Sequence, residues 1–447
     1  MTRYYCTYFD RNYLTRGLAL IESLRRTETS DWSIFVVCMD AMTHVMLQQL
    51  ALPNVRLLQL HEIEGHDREL LAVKPSRSLV EYYWTLTPTV ILRILERHQE
   101  IAVLTYLDAD LFFFSSPQPL FDEMGDASIL IHEHRFSPRQ RHLATHNGRF
   151  NVGLLSFRRD VSGRTALHWW RDRCIEWCFT RYEQGKMGDQ LYLNDWPQRF
   201  SDVAVLQHAG GGVGPWNHDQ YAIRPSSGGQ ILVDEQPLIF YHFHSFRMVS
   251  PEAAIPVAHA HYPLTYESLR YCFVPYIEAL TAGYQQIHAI MPSARWGLED
   301  ALTITQDVTF LAQRPLREQL TGAAPNHRLI SLTAQWDAYG SEQVLAPHHS
   351  GHAPEDECLP QSLNALQPHS IKEDHSMNAH SQHDLLMQMH HTTIAGKIRT
   401  LYVGGAHRFQ EQTLYDRLFP NLEQITFLSP FLNSQHTCAV LNCWIHG

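Results

Sequence analysis

The stretch IAVLTYLDADLFFFSSP, residues 101–117, decides the reading of this chain. Its first seven residues form a near-continuous apolar run, the composition of a strand buried on both faces of a parallel sheet. Asp108 and Asp110 follow at once, and three phenylalanines follow them. In open α/β sheets ligands bind beyond the carboxyl ends of the strands, which is where these carboxylates fall. Side chains two apart in an extended chain point the same way, so both can meet one object. Left alone, paired carboxylates repel and one stays protonated. A hard divalent cation removes that conflict. Oxygen ligands suit Mg²⁺ or Mn²⁺, ions that also bind substrate phosphates. A D-x-D is common by chance, and the competing reading is a turn or helix cap.

Upstream, YYCTYF (4–9) reads as a strand, and NYLTRGLALIESLRR (12–26) has helical periodicity. WSIFVVCM (32–39) is a second apolar strand, followed by AMTHVMLQQLAL as helix and VRLLQL as strand. LVEYYWTLTPTVILRILERH (79–98) is a longer helical stretch, expected to be interrupted near Pro88. Strand alternating with helix predicts a mostly parallel sheet with helices on both faces. Downstream, FNVGLLSFRRD (150–160) places Asn151 and Gly153 at a short strand. MGDQLYLND (187–195) places Asp189 and Gln190 at a helix start, where an acidic residue suits the helix dipole. LIFYHFHSF (238–246) is a strand ending in histidines, with His242 and His244 on one face. A neutral imidazole from that face would complete a metal's shell. The glycine run GGGVGPWN (210–217) either lets backbone approach a diphosphate or is a flexible loop.

The length, 447 residues, implies two or three domains. No apolar run has the roughly 18–20 residues of a membrane span. The opening MTRYYCTYFD lacks the apolar stretch of a secretory signal, so a cytoplasmic location is expected. Contact with the inner face of the membrane is compatible with that. A net charge of -11 argues against sequence-independent nucleic-acid binding. Cys6 and Cys38 lie in strand-like runs. Cys174 and Cys178 lie four apart on a helical stretch, and no second pair has zinc-like spacing, so all four are expected in the core. A helical extension is expected over 301–339. Residues 340–395 read as a disordered His/Ser-rich linker, whose histidines keep no regular spacing. Residues 396–447 read as strand, glycine turn, helix, strand, too short for a further full domain.

Taken in order, TYFDRNYL, EYYWTLTP before YLDAD, FNVGLLSF, GDQLYLN and YHFHS resemble the GT-A glycosyltransferases, most closely the retaining family 8 type. The resemblance covers residues 1–280 or so; the domain is drawn as 1–300. It implies a Rossmann-like α/β fold and a nucleotide-sugar donor, a UDP-sugar, held with Mn²⁺ or Mg²⁺. Sugar would pass to a hydroxyl of a glycan or other acceptor. Asp108 and Asp110 match the family's metal-binding D-x-D, with Ala109 between them. YHFHS resembles the H-[YF]-x-G segment, which places the third ligand at His242, with His244 as the alternative and Ser245 where glycine is usual. Thr7, Asp10, Asn12 and Tyr13 match the first loop, which reads the base. Asn151 and the pair Asp189–Gln190 match positions lining the sugar site. Gln190 is the expected neighbour of the anomeric carbon, in a supporting role, and Asp189 the less favoured nucleophile.

Two departures accompany the match. The family's basic residue before D-x-D is replaced by Trp84 or Thr85, leaving Lys74, Arg77 or Arg247 as substitutes. The lysine-containing K-P-W after the histidine is absent, and FRMVS stands there. Two other readings compete. A nucleotidyltransferase would start with a basic, glycine-rich phosphate loop, which TYFDRNYL lacks. A non-catalytic nucleotide-sugar-binding protein would have no need of the metal set. The tail, YVGGAHRFQEQTLYDRLFPNLEQITFLSP, resembles the opening of an S-adenosylmethionine-dependent methyltransferase, with Ser429 near the usual acidic position. It is expected to be a remnant without methyl transfer.

Overall fold

A computed structural model describes residues 2–298, apart from 66, 252 and 258–261, together with four short strands at 309–312, 328–331, 400–404 and 424–428. The chain divides into two compact units, residues 1–345 and 346–447.

The first unit is built on a seven-stranded sheet. Its strands are β1 (Arg3–Phe9), β2 (Trp32–Cys38), β3 (Val55–Gln59), β4 (Val103–Leu107), β6 (Ile129–Glu133), β7 (Phe150–Arg158) and β8 (Val203–Val205). A short strand, β5 (Leu111–Phe113), leaves the sheet just after β4. The order is β3–β2–β1–β4–β7–β6–β8, and only β7 runs against the rest. The main helices are α1 (Leu14–Thr27), α2 (Ala41–Leu50), α3 (Leu79–Arg97), α4 (Gln118–Met124), α5 (Val161–Glu176) and α6 (Val274–Ile290). This is the expected α/β class.

The two faces of β1 show why the strands read as apolar runs. Cys6 joins Phe35, Leu104, Tyr106 and Phe157 under Leu86, Val90 and Ile94 of α3 and Leu167 and Trp170 of α5. On the opposite face, Phe9 presses against α1, where a Cβ at Gly17 would lie 2.3 Å from its ring. Only glycine permits that approach. Gly283 of α6 similarly faces Leu18 of α1. Cys6, Cys38, Cys174 and Cys178 are buried, and none forms a disulfide.

Helix α3 starts at a reciprocal capping box between Ser78 and Glu81 and runs without a break through Pro88. The expected interruption does not occur. Proline forfeits one backbone bond, but Leu86, Val90, Ile91, Ile94 and Leu95 all bury on this helix. Each fully buried aliphatic contributes roughly 1.5–3 kcal/mol. That outweighs the local cost.

Beyond the sheet, β9 (Ile223–Pro225), β10 (Ile231–Val233) and β11 (Gln236–Pro237) form a small antiparallel sheet. Strand β12 (Phe240–His242) pairs antiparallel with β5, placing His242 opposite Leu111. Strands β13 (Arg247–Ser250) and β14 (Ala253–Ile255) form a bulged hairpin. Within the expected helical extension, Thr309–Ala312 and Arg328–Ser331 are strands: the first pairs with the edge of β14, the second with the first. An unpaired sheet edge offers backbone partners that override a helical reading. The rest of 301–339 and the whole of 340–395 lie outside the described residues. In the second unit, Thr400–Gly404 and Gln424–Leu428 pair in parallel; Ser429 lies outside the described residues. Among the described residues no helix is long and apolar enough to cross a membrane.

Candidate metal and substrate site

Strand β4 ends at Leu107, and Asp108–Ala109–Asp110 form a turn closed by the Leu111 N–H donating to the Asp108 carbonyl, 3.1 Å. The carboxylates therefore converge through a turn, not through the extended spacing expected from sequence. Backbone bonds hold it from both sides. The Asp108 N–H donates to Gly153 O of β7 (2.8 Å), and Phe243 N–H, just past β12, donates to Asp110 O (3.0 Å). The β5–β12 pairing then delivers His242. One ligand atom each from Asp108, Asp110 and His242 lies within 4.8 Å of the others. His242 Nε2 is 3.1 Å from Asp110 Oδ1 and 3.7 Å from Asp108 Oδ2. The Tyr106 hydroxyl donates to Asp108 Oδ1 at 2.6 Å and fixes that carboxylate.

Asn151 orients the imidazole. Its Oδ1 accepts from the Gly153 N–H at 2.8 Å and lies 3.3 Å from His242 Nδ1. An atom that accepts a backbone N–H is the amide oxygen, so Nδ1 is the donor and Nε2 faces the carboxylates. Metal-binding histidines are commonly oriented in this way. Asn151 Nδ2 is left to face Gln190 Oε1 at 3.2 Å and His134 Nε2 at 3.1 Å. Gln190 is fixed in turn, its Oε1 accepting from Val152 N–H (3.2 Å) and its Nε2 donating to Asn147 O (2.7 Å). Gly153 makes room for this array: a Cβ there would lie 2.6 Å from His242 Nδ1.

The electrostatics follow from burial and proximity. Burial raises the Asp108 carboxyl, with His242 opposing and Asp110 reinforcing. Burial would also raise Asp110, but His242, with His244 and Arg16 behind it, holds that carboxyl below its usual range. Burial opposes a charge on His242, yet Asp110 raises it above an ordinary histidine. The three residues form a compact acid–imidazole cluster of the kind that suits a divalent cation. The two carboxylates supply the oxygen ligands that suit Mn²⁺ or Mg²⁺, and the imidazole presents Nε2 beside them.

The other expected residues have mixed placements. Asp10 is a structural cap: it accepts from Asn12 N–H (2.9 Å), Tyr13 N–H (3.3 Å) and the Tyr83 hydroxyl (3.2 Å). Asn12 and Tyr13 are exposed in this loop, and Thr7 is buried in β1. Ala109 is buried at the centre of the turn. Asp189 is buried, 5 % exposed, in a turn before a short 3₁₀ helix, not on a solvated helix start. Burial, with Asp108 adding to it, pushes its carboxyl up to about 8, so the dipole argument for this residue fails. His244 is exposed in the turn after β12. Ser245 adopts φ 61°, a conformation that favours glycine.

Neither Lys74 nor Arg77 replaces the absent basic residue. Lys74 pairs with Glu64 at 2.6 Å, and Arg77 stacks on Phe179 at 3.9 Å. Trp84 packs beside Gly188, and Thr85 is buried, its hydroxyl donating to Glu81 O. The basic side chain near Asp110 is Arg16, which sequence reading missed. It donates to Asn12 O (3.2 Å) and Phe246 O (2.8 Å) and stacks on Tyr13 (4.4 Å), joining the loops after β1 and β12. A lone arginine on the apolar face of TRGLALI was the available signal. His134 was also missed, although IHEHRF puts His132 and His134 on one face ahead of Asn151. The glycine run is not an open loop. It is buried against β12, with Ile239 N–H bonded to Gly210 O and His242 N–H to Val213 O, both 2.8 Å.

Comparison with known proteins fits this arrangement into a family. The chain is 35% identical over 260 residues to the uncharacterized protein YfnF of Bacillus subtilis (strain 168), covering 56% of this chain and 84% of YfnF. It is 31% identical over 293 residues to the uncharacterized protein YfnD of the same organism, covering 65% and 93%. The chain belongs to the YfnF/YfnD family. No family model matches. Among solved structures, the galactosyltransferase LgtC in complex with donor and acceptor sugar analogs aligns over 62% of this chain and 95% of its own, with 14% identity and a TM-score of 0.41. Mouse xyloside xylosyltransferase 1 aligns over 55% and 98%, with 14% identity and a TM-score of 0.36.

Proposed function

We propose that this YfnF/YfnD-family chain is a metal-assisted glycosyltransferase of the GT-A type, moving a sugar from a nucleotide-diphosphate sugar to an acceptor hydroxyl. The observation that carries the reading is the Asp108–Asp110–His242 cluster at the carboxyl end of β4, with Asn151 orienting the imidazole. Asp108, Asp110 and His242 would hold Mn²⁺ or Mg²⁺, which supplies charge compensation for a departing nucleoside diphosphate. Asp10 caps the loop that carries Asn12 and Tyr13 and so shapes the rim where a base would sit. A uridine base and retention of configuration rest on the sequence resemblance.

The chain's own residues then have distinct tasks. Asn151 fixes the histidine. Gln190 holds Asn151 and the segment around Asn147, so it acts as a positioning residue for the sugar side. Burial, with Asp108 reinforcing it, raises the Asp189 carboxyl to about 8 in the metal-free protein, which favours the protonated form and makes it a poor nucleophile.

The test is release of UDP from UDP-sugars by the wild type with Mn²⁺, with EDTA, and by Asp110→Asn. Turnover that requires metal and vanishes in the variant is expected. Equal turnover in EDTA would overturn the reading. Mn²⁺-dependent UDP binding without turnover on any UDP-sugar would favour the second reading, a nucleotide-sugar-binding protein, which the tryptophan in place of a basic residue at position 84 supports.

A further inference from the structure

Residues 135–149, RFSPRQRHLATHNGR, contain four arginines and two histidines and no acidic residue, in a chain whose net charge is -11. The segment joins His134 to Asn151 and is tied to the site near its two ends. Phe136 stacks on His134, ring centroids 4.6 Å apart. Ser137 N–H donates to Trp216 O at 3.0 Å. Asn147 O accepts from Gln190 Nε2 at 2.7 Å. His146 lies against Tyr182, which is 46% exposed, with centroids 4.8 Å apart.

Two of the arginines serve the fold. Arg135 donates to His208 O and Gly211 O, and Arg149 pairs with Glu133. Arg139 and Arg141 are exposed, and among the described residues neither has an ion pair. Packing does not require their charge. In the reading above the cation site meets the donor's diphosphate, which leaves this second concentration of positive charge free to serve the acceptor.

We infer that this segment recognises an oxyanion on the acceptor: the acceptor is an anionic saccharide, bearing a phosphate or a carboxylate that Arg139 and Arg141 bind while His146 and Tyr182 face its ring. Arginine is suited to this by its planar fork of donors, which engages carboxylate and phosphate in bidentate fashion. An exposed aromatic offers an apolar face with a polar tip for the sugar. The inference rests on the proposed glycosyl transfer and names its acceptor class.

The experiment is calorimetric titration of the full chain, saturated with UDP and Mn²⁺, with glucose, glucose 6-phosphate and glucuronate, repeated on Arg139→Gln/Arg141→Gln. The wild type should bind at least one of the two anionic sugars on the order of tenfold more tightly than glucose, a gain that added salt reduces. Which of them is preferred separates phosphate from carboxylate. The double variant should lose the preference and keep its affinity for UDP with Mn²⁺. Equal or undetectable binding of all three sugars by the wild type overturns the inference, as does a preference that survives in the variant. Absence of Mn²⁺-dependent UDP binding in the wild type would instead overturn the glycosyltransferase reading.

Discussion

Replacing Asn151 by alanine tests whether the metal site is oriented from behind. The Asn151 amide oxygen is shared between Gly153 N–H (2.8 Å) and His242 Nδ1 (3.3 Å). Its nitrogen faces Gln190 (3.2 Å) and His134 (3.1 Å). Alanine leaves the Gly153 N–H and the His242 Nδ1–H without their acceptor in a buried setting. Each unsatisfied group costs about 1–3 kcal/mol. Water that enters the cavity recovers part of that, so a loss of about 2–4 kcal/mol in stability is expected. Removing the orienting partner of a metal-bound histidine typically costs about 10–100-fold in metal affinity. Calorimetric titration of Mn²⁺ in the presence of UDP, with a thermal melt as a folding control, measures both. A folded Asn151→Ala protein with wild-type Mn²⁺ affinity would refute the orienting role.

Gly153→Ala forces a methyl to 2.6 Å from His242 Nδ1 and 2.7 Å from Asn151 Oδ1; chemical melts should show a loss of about 1–3 kcal/mol, together with weakened Mn²⁺ binding. Asp189 predicts a pH dependence in the metal-free protein. Its folded pKa, about 8, stands above the unfolded value, so the unfolded chain binds fewer protons between them, and stability falls as pH rises through that window. Asp189→Asn should flatten the decline in melting temperature between about pH 4 and pH 8; an unchanged slope would clear Asp189 of responsibility. Arg16→Gln removes two bonds between the loops after β1 and β12; a loss of about 1–3 kcal/mol is expected in denaturant melts, and full stability would show that these loops need no tie.

Much of the first unit was legible because its signals are local. Runs such as WSIFVVC bury on both faces of a parallel sheet and so read as continuous apolar strands. The carboxylates and His242 were legible because motif order preserved them, although the reason for their convergence was not. That reason is a turn plus the pairing of Leu111 with His242, residues far apart in sequence. The same long-range character hid Arg16, whose partner Phe246 comes from the far side of the domain sequence. It also hid the buried state of the glycine run, which depends on contact with β12. Pro88 misled because a local helix-breaking rule was outweighed by the burial of the residues around it. Asp189 misled in the opposite sense: its sequence context suggests a solvated helix start, and only the fold buries it within reach of the Asp108 charge.

The most direct measurement is the thermal stability of the wild-type chain with UDP alone, Mn²⁺ alone and the two together. If Asp108, Asp110 and His242 hold a cation that holds a nucleoside diphosphate, the pair should stabilise the protein well beyond either component. At ligand a hundredfold above its dissociation constant the gain is about 2.7 kcal/mol. Asp110→Asn should abolish the joint effect. Identical melting in all conditions, or a joint effect that survives in Asp110→Asn, would contradict the account.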